Sequence, residues 1–218
     1  MKTKTKIHLV SLALVGVAAA LTVLVYGKLP DPVPTHWNIH GEVDGWTPKP
    51  WGPFLLPLVM LAMSVMFMVL PWISPRRFEI EGFDGAYGWI VLSVQSMFLL
   101  FTGLAHLAGM GFDVDIGRTL SIAVGLLFMV MGNFMGKVTR NFFLGIRTPW
   151  TLANEEVWLR THRFAGKAYV LAGFLFMVAG LLNVHRLALI PLIALMALIP
   201  SAYSFILYRR LEGEGRSA

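Results

Sequence analysis

Six apolar stretches, each about long enough to cross a bilayer, constrain this chain more than any other feature of its sequence. They run from about Ile7 to Tyr26, Pro53 to Ile73, Tyr87 to Leu107, Thr119 to Gly136, Ala168 to Val184 and Leu187 to Tyr208. A helix needs roughly 20 apolar residues to span the ~30 Å hydrocarbon layer, where every backbone polar group must be bonded within the protein. The predicted fold class is therefore an all-α integral membrane protein of about six transmembrane helices. Charged residues make up 14% of the chain and mean hydropathy is +0.68, too few charges to cover a soluble surface, which carries roughly 25%.

Six spans place both termini on one side, and Lys and Arg decide which side that is. Of the 18 such residues, only Lys28, Lys49, Arg118 and Arg186 fall on the other face, so both termini are expected in the cytoplasm and the segment 27–52 outside. The N-terminal lysines and Ala18-Ala19-Ala20 imitate a secretory signal. The apolar run continues past them through Leu24 and Val25, so it is read as a retained first span. The organisation follows: residues 1–73 hold two spans and the outer loop, and residues 87–208 hold a four-helix region with an inner loop at 137–167. The net charge of +6 and pI near 9.8 reflect this topology and not a nucleic-acid partner, since no soluble domain exists to present a basic stripe. The absence of cysteine excludes thiolate catalysis and Cys-type zinc sites.

The outer loop begins with Pro30, Pro32 and Pro34, which fix an extended entry. Asn38, Gly41, Asp44 and Gly45 then supply turn chemistry, and Trp37, Trp46 and Trp51 supply apolar area for a small fold resting on the membrane surface. His36, His40, Glu42 and Asp44 lie close together, and imidazole with carboxylate can bind zinc. Against this, Gly41 and the prolines disfavour the helix that would make His36 and His40 converge. The preferred reading has His36 and Asp44 orienting the loop, with no cofactor.

The inner loop holds the densest chemistry. Thr148 should be extended because Pro149 follows it. Thr151 or Asn154 can then cap a new helix with Glu155 and Glu156 in its first turn. That helix carries Arg160, Arg163 and Lys167 beside Val157, Trp158, Thr161 and Ala165, and reads as an amphipathic interfacial segment. Arg147 is expected to organise the loop by bonding a capping carboxylate, Glu155 or Glu156, or carbonyls around Pro149. Within the spans, Gln95, Thr102 and His106 share a face, with Asn133 and Asn183 elsewhere; they are read as interhelical hydrogen bonds in preference to a ligand path.

The inner-loop order Asn141, Gly145, Ile146, Arg147, Thr148, Pro149, Trp150, Thr151, Leu152, Asn154, Val157, Trp158, Thr161, His162, Arg163 and Gly166 resembles the hallmark of the SdpI family, bacterial membrane proteins named for immunity to a secreted peptide toxin. The outer loop resembles the uncharacterised extracytoplasmic segment found in this family, through Leu29, Pro30, Pro34, His36, Trp37, Asn38, Gly41, Asp44, Trp46 and Lys49. The resemblance implies a multi-pass protein of the bacterial cytoplasmic membrane that neutralises or senses an extracellular peptide toxin and captures a cytoplasmic repressor. On that reading His36, Trp37, Asn38, Asp44 and Trp46 bind ligand or organise the outer loop. Two other classes compete. A membrane metallohydrolase would use His36 and His40 with Glu42 or Asp44 as base, and a small-solute transporter is disfavoured by spans without charge.

Overall fold

The computed structural model describes residues 3–73, 83–184 and 186–215. Lys2, Arg76, Arg77 and Arg216, four cations of the charge count, and His185 between the last two spans lie outside the described residues. The chain runs α1 Thr3–Val25, β1 Val33–Trp37, β2 Val43–Thr47, α2 Trp51–Ile73, α3 Asp84–Gly109, α4 Ile116–Met135, α5 Pro149–Ala153, α6 Glu155–Leu181 and α7 Ile190–Gly215. Six of these helices are long and apolar enough to cross a membrane. Trp51, Trp72 and Trp89 are exposed near helix ends, where amphipathic rings anchor a span at the interface.

Two departures from the sequence reading have simple causes. The outer loop contains an antiparallel hairpin, β1 against β2; Pro34 is tolerated in it because a two-stranded ribbon has only edge strands. The amphipathic segment expected after Asn154 is the first part of α6, which continues unbroken to Leu181. Nothing in its sequence stops a helix, and 27 residues at ~1.5 Å each exceed the hydrocarbon thickness, so its first turns project into the interface.

Alternation of the helices puts the hairpin, residues 110–115 and residues 182–184 and 186–189 at one end of the bundle, here the hairpin end. Residues 136–154 lie at the opposite, motif end. Helices α1, α2 and α3 pack together through polar pairs that lipid would not satisfy. The Ser11 and Ser64 hydroxyls are 2.8 Å apart, and Gln95 Nε2 donates to Ser64 Oγ at 2.7 Å and to the Met60 carbonyl at 3.0 Å. Thr22 Oγ1 lies 2.8 Å from His106 Nε2. The interhelical reading thus holds for Gln95 and His106. Thr102 differs: its hydroxyl donates to Phe98 in its own helix, the ordinary recourse of a helical threonine. Asn133 is exposed on α4, and Asn183 takes φ 52° in the turn after α6.

Helices α4 and α6 make the most extensive contact, along a seam of glycines spaced by seven. A Cβ on Gly132 would stand 2.6 Å from the Gly166 carbonyl oxygen, and one on Gly173 would stand 2.5 Å from that of Gly125. Gly180 continues the seam against Ile122 and Arg118. Small residues let two backbones approach this closely where no hydrophobic drive exists between helices.

Candidate functional site

At the hairpin end, Asn38 builds the turn. Its Oδ1 accepts from the His40 and Glu42 amides at 2.8 and 3.1 Å, its Nδ2 donates to Glu42 Oε2 at 3.0 Å, and Gly41 takes φ +83°. His36 Nδ1 and Asp44 Oδ1 are 2.5 Å apart across the strands, both exposed. Trp37 packs edge-on against Phe101 of α3, ring centroids 5.9 Å apart, whereas Trp46 stays largely exposed. Among the described residues, no three His, Asp or Glu side chains come together to hold a metal ion. The proposed quartet is instead split, with His36 facing Asp44 and Glu42 bonded to Asn38.

Lys49, which sequence reasoning did not single out as a site residue, ties the loop shut. Its Nζ donates to the Tyr26 and Leu29 carbonyls at 3.0 and 2.8 Å and lies 4.8 Å over the Tyr26 ring, while its amide donates to Asp31. Thr35 and Thr47 hydroxyls, 2.9 Å apart, cross-link the strands. So held, the hairpin forms one wall of a groove of about 490 Å³. Thr35 to Ile39 face Ile116, Leu120 and Val124 of α4, Phe176 of α6, and Ile190 and Ile193 of α7 across it. None of these helical residues carries a local signal; only the packing of distant spans brings them together.

At the motif end the residues of the inner-loop pattern assemble into one bonded unit. Asn141, fully buried, folds residues 139–144 around its amide: Nδ2 donates to the Thr139 and Leu144 carbonyls, and Oδ1 accepts from the Phe143 and Leu144 amides. Trp158 Nε1 donates to the Val138 carbonyl at 2.7 Å, and its ring stacks on His162 at 4.0 Å. His162 Nε2 accepts from the Ile146 amide at 3.0 Å, which leaves Nδ1–H to donate to the Trp158 carbonyl at 2.8 Å. Both ring nitrogens are thereby committed and the imidazole is neutral. Gly145, at φ +102°, passes so close to this ring that a Cβ would meet Nε2 at 2.2 Å.

Two caps complete the unit. Thr148 is extended and caps α5 in a reciprocal box with Thr151, whose hydroxyl also reaches the Ile146 carbonyl at 2.8 Å. Asn154 caps α6, accepting from the Glu156 and Val157 amides at 2.9 and 3.1 Å. Thr148 also meets Ser204 of α7 at 3.0 Å, and Trp150 packs on Phe205 with centroids 4.9 Å apart. Arg147 does bond a carbonyl, but that of Phe142, not one around Pro149. Nor does it pair with the capping carboxylates; Glu156 is taken by Arg160 at 2.5 Å, one turn away on the same helix, which is the nearer and better-aligned partner. Thr161 is buried, and Arg163 is exposed on the outer side of α6. The arrangement offers hydrogen-bond rigidity and an exposed aromatic and basic surface, with no nucleophile paired to a base.

Comparison with known proteins finds likenesses in two segments of the chain. Residues 137–204 match the family described as the SdpI/YfhL protein family, and residues 13–61 match a domain of unknown function, DUF1648. Immunity protein SdpI of Bacillus subtilis (strain 168) is 28% identical over 210 residues, covering 95% of this chain and 99% of that protein. No solved structure matches. Six apolar helices and this relationship make the chain a multi-pass protein of the bacterial cytoplasmic membrane. Over residues 137–204 the chain thus resembles the SdpI/YfhL protein family.

Proposed function

We propose that this chain is an SdpI-like immunity protein that engages a secreted peptide toxin in the groove between the hairpin and α4, α6 and α7. The carrying observation is that groove: about 490 Å³, mostly apolar, with the polar His36–Asp44 pair beside it. Small sites of this kind combine apolar walls with a few fixed polar groups. The near full-length relationship to an immunity protein supports the same reading. At the opposite end, the exposed face of residues 137–163 is the docking surface for a cytoplasmic repressor, and α7 touches both ends.

The test is protection of a toxin-sensitive strain against the secreted peptide for which the family is named. Val124→Trp fills the groove from α4 and Ile193→Trp fills it from α7. Both should abolish protection while the chain reaches the membrane at the wild-type level. Full protection by either groove-filled variant, correctly inserted, would remove the groove from the mechanism. Repressor capture is read independently, by co-purification with the wild-type chain and its loss on Trp150→Ala.

A further inference from the structure

A second groove, of about 700 Å³, runs beside the α4/α6 seam. Its floor is made by Gly132, Gly136 and Gly166, where missing side chains leave the helices shallow. Val170, Leu171 and Phe174 form an apolar wall along α6. Arg163 and Lys167, one turn apart, line the end toward the motif, and the Arg163 stem lies 3.4 Å from where a Gly136 Cβ would be. Among the described residues, no acidic side chain lines this groove, and Glu156, two turns before Arg163 on α6, is held by Arg160.

The dimensions fit one class of occupant. From Arg163 to Phe174 the helix rises about 16 Å at ~1.5 Å per residue, roughly half of the ~30 Å hydrocarbon layer. The groove is therefore one leaflet deep, apolar along its length save for Asn133, and doubly cationic where the helix leaves the hydrocarbon. A peptide would meet only the Asn133 amide as a backbone partner along such glycine and aliphatic walls. An acyl chain needs none. We propose that this groove is a binding site for an anionic phospholipid, its phosphate held by Arg163 and Lys167 and one acyl chain laid along Gly132, Gly166 and Val170. Basic pockets between transmembrane helices select such headgroups by charge.

The experiment uses the full-length chain reconstituted in phosphatidylcholine vesicles containing a minor fraction of phosphatidylglycerol, followed by native mass spectrometry of the lipid it retains. Wild type should retain phosphatidylglycerol in preference to phosphatidylcholine. R163Q/K167Q should lower that preference roughly 30-fold, the effect of two interfacial cations. V170W, which fills the groove and leaves the charges intact, should also lose the retained lipid. R209Q/R210Q removes the same charge at the end of α7 and should retain it. Excess inorganic phosphate should not displace it. The proposal is overturned by unchanged preference in R163Q/K167Q, by retention in V170W, by an equal loss in R209Q/R210Q, which marks a general field, or by displacement with phosphate alone.

Discussion

At Gly145 the backbone takes φ +102° and a Cβ would stand 2.2 Å from His162 Nε2, so an added methyl group acts twice. It strains the left-handed backbone and pushes the imidazole off the Ile146 amide, leaving a partly buried donor unmet at a cost of up to about 1–3 kcal/mol. Gly111 separates the two effects, because it also has positive φ, +88°, with nothing within 4 Å of its would-be Cβ. Gly145→Ala should therefore lower the thermal midpoint of the detergent-solubilised protein clearly more than Gly111→Ala. Equal shifts would mean that the His162 contact contributes nothing. Thr148, expected only to be extended, also caps α5, with Thr151 as its partner; the extended Thr148 before Pro149 and the Asn154 cap before two glutamates were legible in advance. The partner of Arg147 was not, because the Phe142 carbonyl comes into reach only after Asn141 has folded residues 139–144 into a compact turn.

Among the elements, the α4/α6 seam sets how far the bundle tolerates change. Gly132→Ala and Gly173→Ala each drive a Cβ to within 2.6 and 2.5 Å of a carbonyl oxygen on the facing helix, and backbone cannot rotate away as a side chain can. Each should destabilise the folded protein by roughly 1–3 kcal/mol. Gly103→Ala on α3, with nothing within 4 Å, should be neutral or slightly stabilising, since alanine is the better helix residue. Resistance to unfolding by denaturing detergent ranks the three; if Gly103→Ala proves the most damaging, the seam is not the close contact described. The seven-residue spacing of Gly125 with Gly132, and of Gly166 with Gly173 and Gly180, is visible in the sequence. Which helix meets which is not, since two glycine rows identify a partner only when both are known to share an interface. The hairpin was hidden for another reason: three prolines and a short strand length mask any alternation of apolar residues.

For the whole molecule, the charge distribution predicts a definite sidedness. The chain has no cysteine, so single-cysteine variants report position directly. Glu42→Cys should label with a membrane-impermeant reagent in intact cells, and Arg160→Cys should label only after the cells are opened. External labelling of the Arg160 site would invert the assignment of both ends. The number of spans and their approximate limits could be read from apolar length alone, because lipid imposes one rule on every backbone group it surrounds. The groove could not, as its walls come from α3, α4, α6, α7 and the hairpin together. That gathering of parts has a mechanical side. Glycine interlock makes α4 and α6 a chassis, fixed in one register. Helix α7 is built otherwise: Ile190 and Ile193 border the groove, Ser204 and Phe205 touch Thr148 and Trp150, and Pro200 between them breaks the helical hydrogen-bond ladder. It joins the two ends as a single strut whose ladder lacks a bond near its middle, the point where a helix bends most easily, beside a chassis held in register.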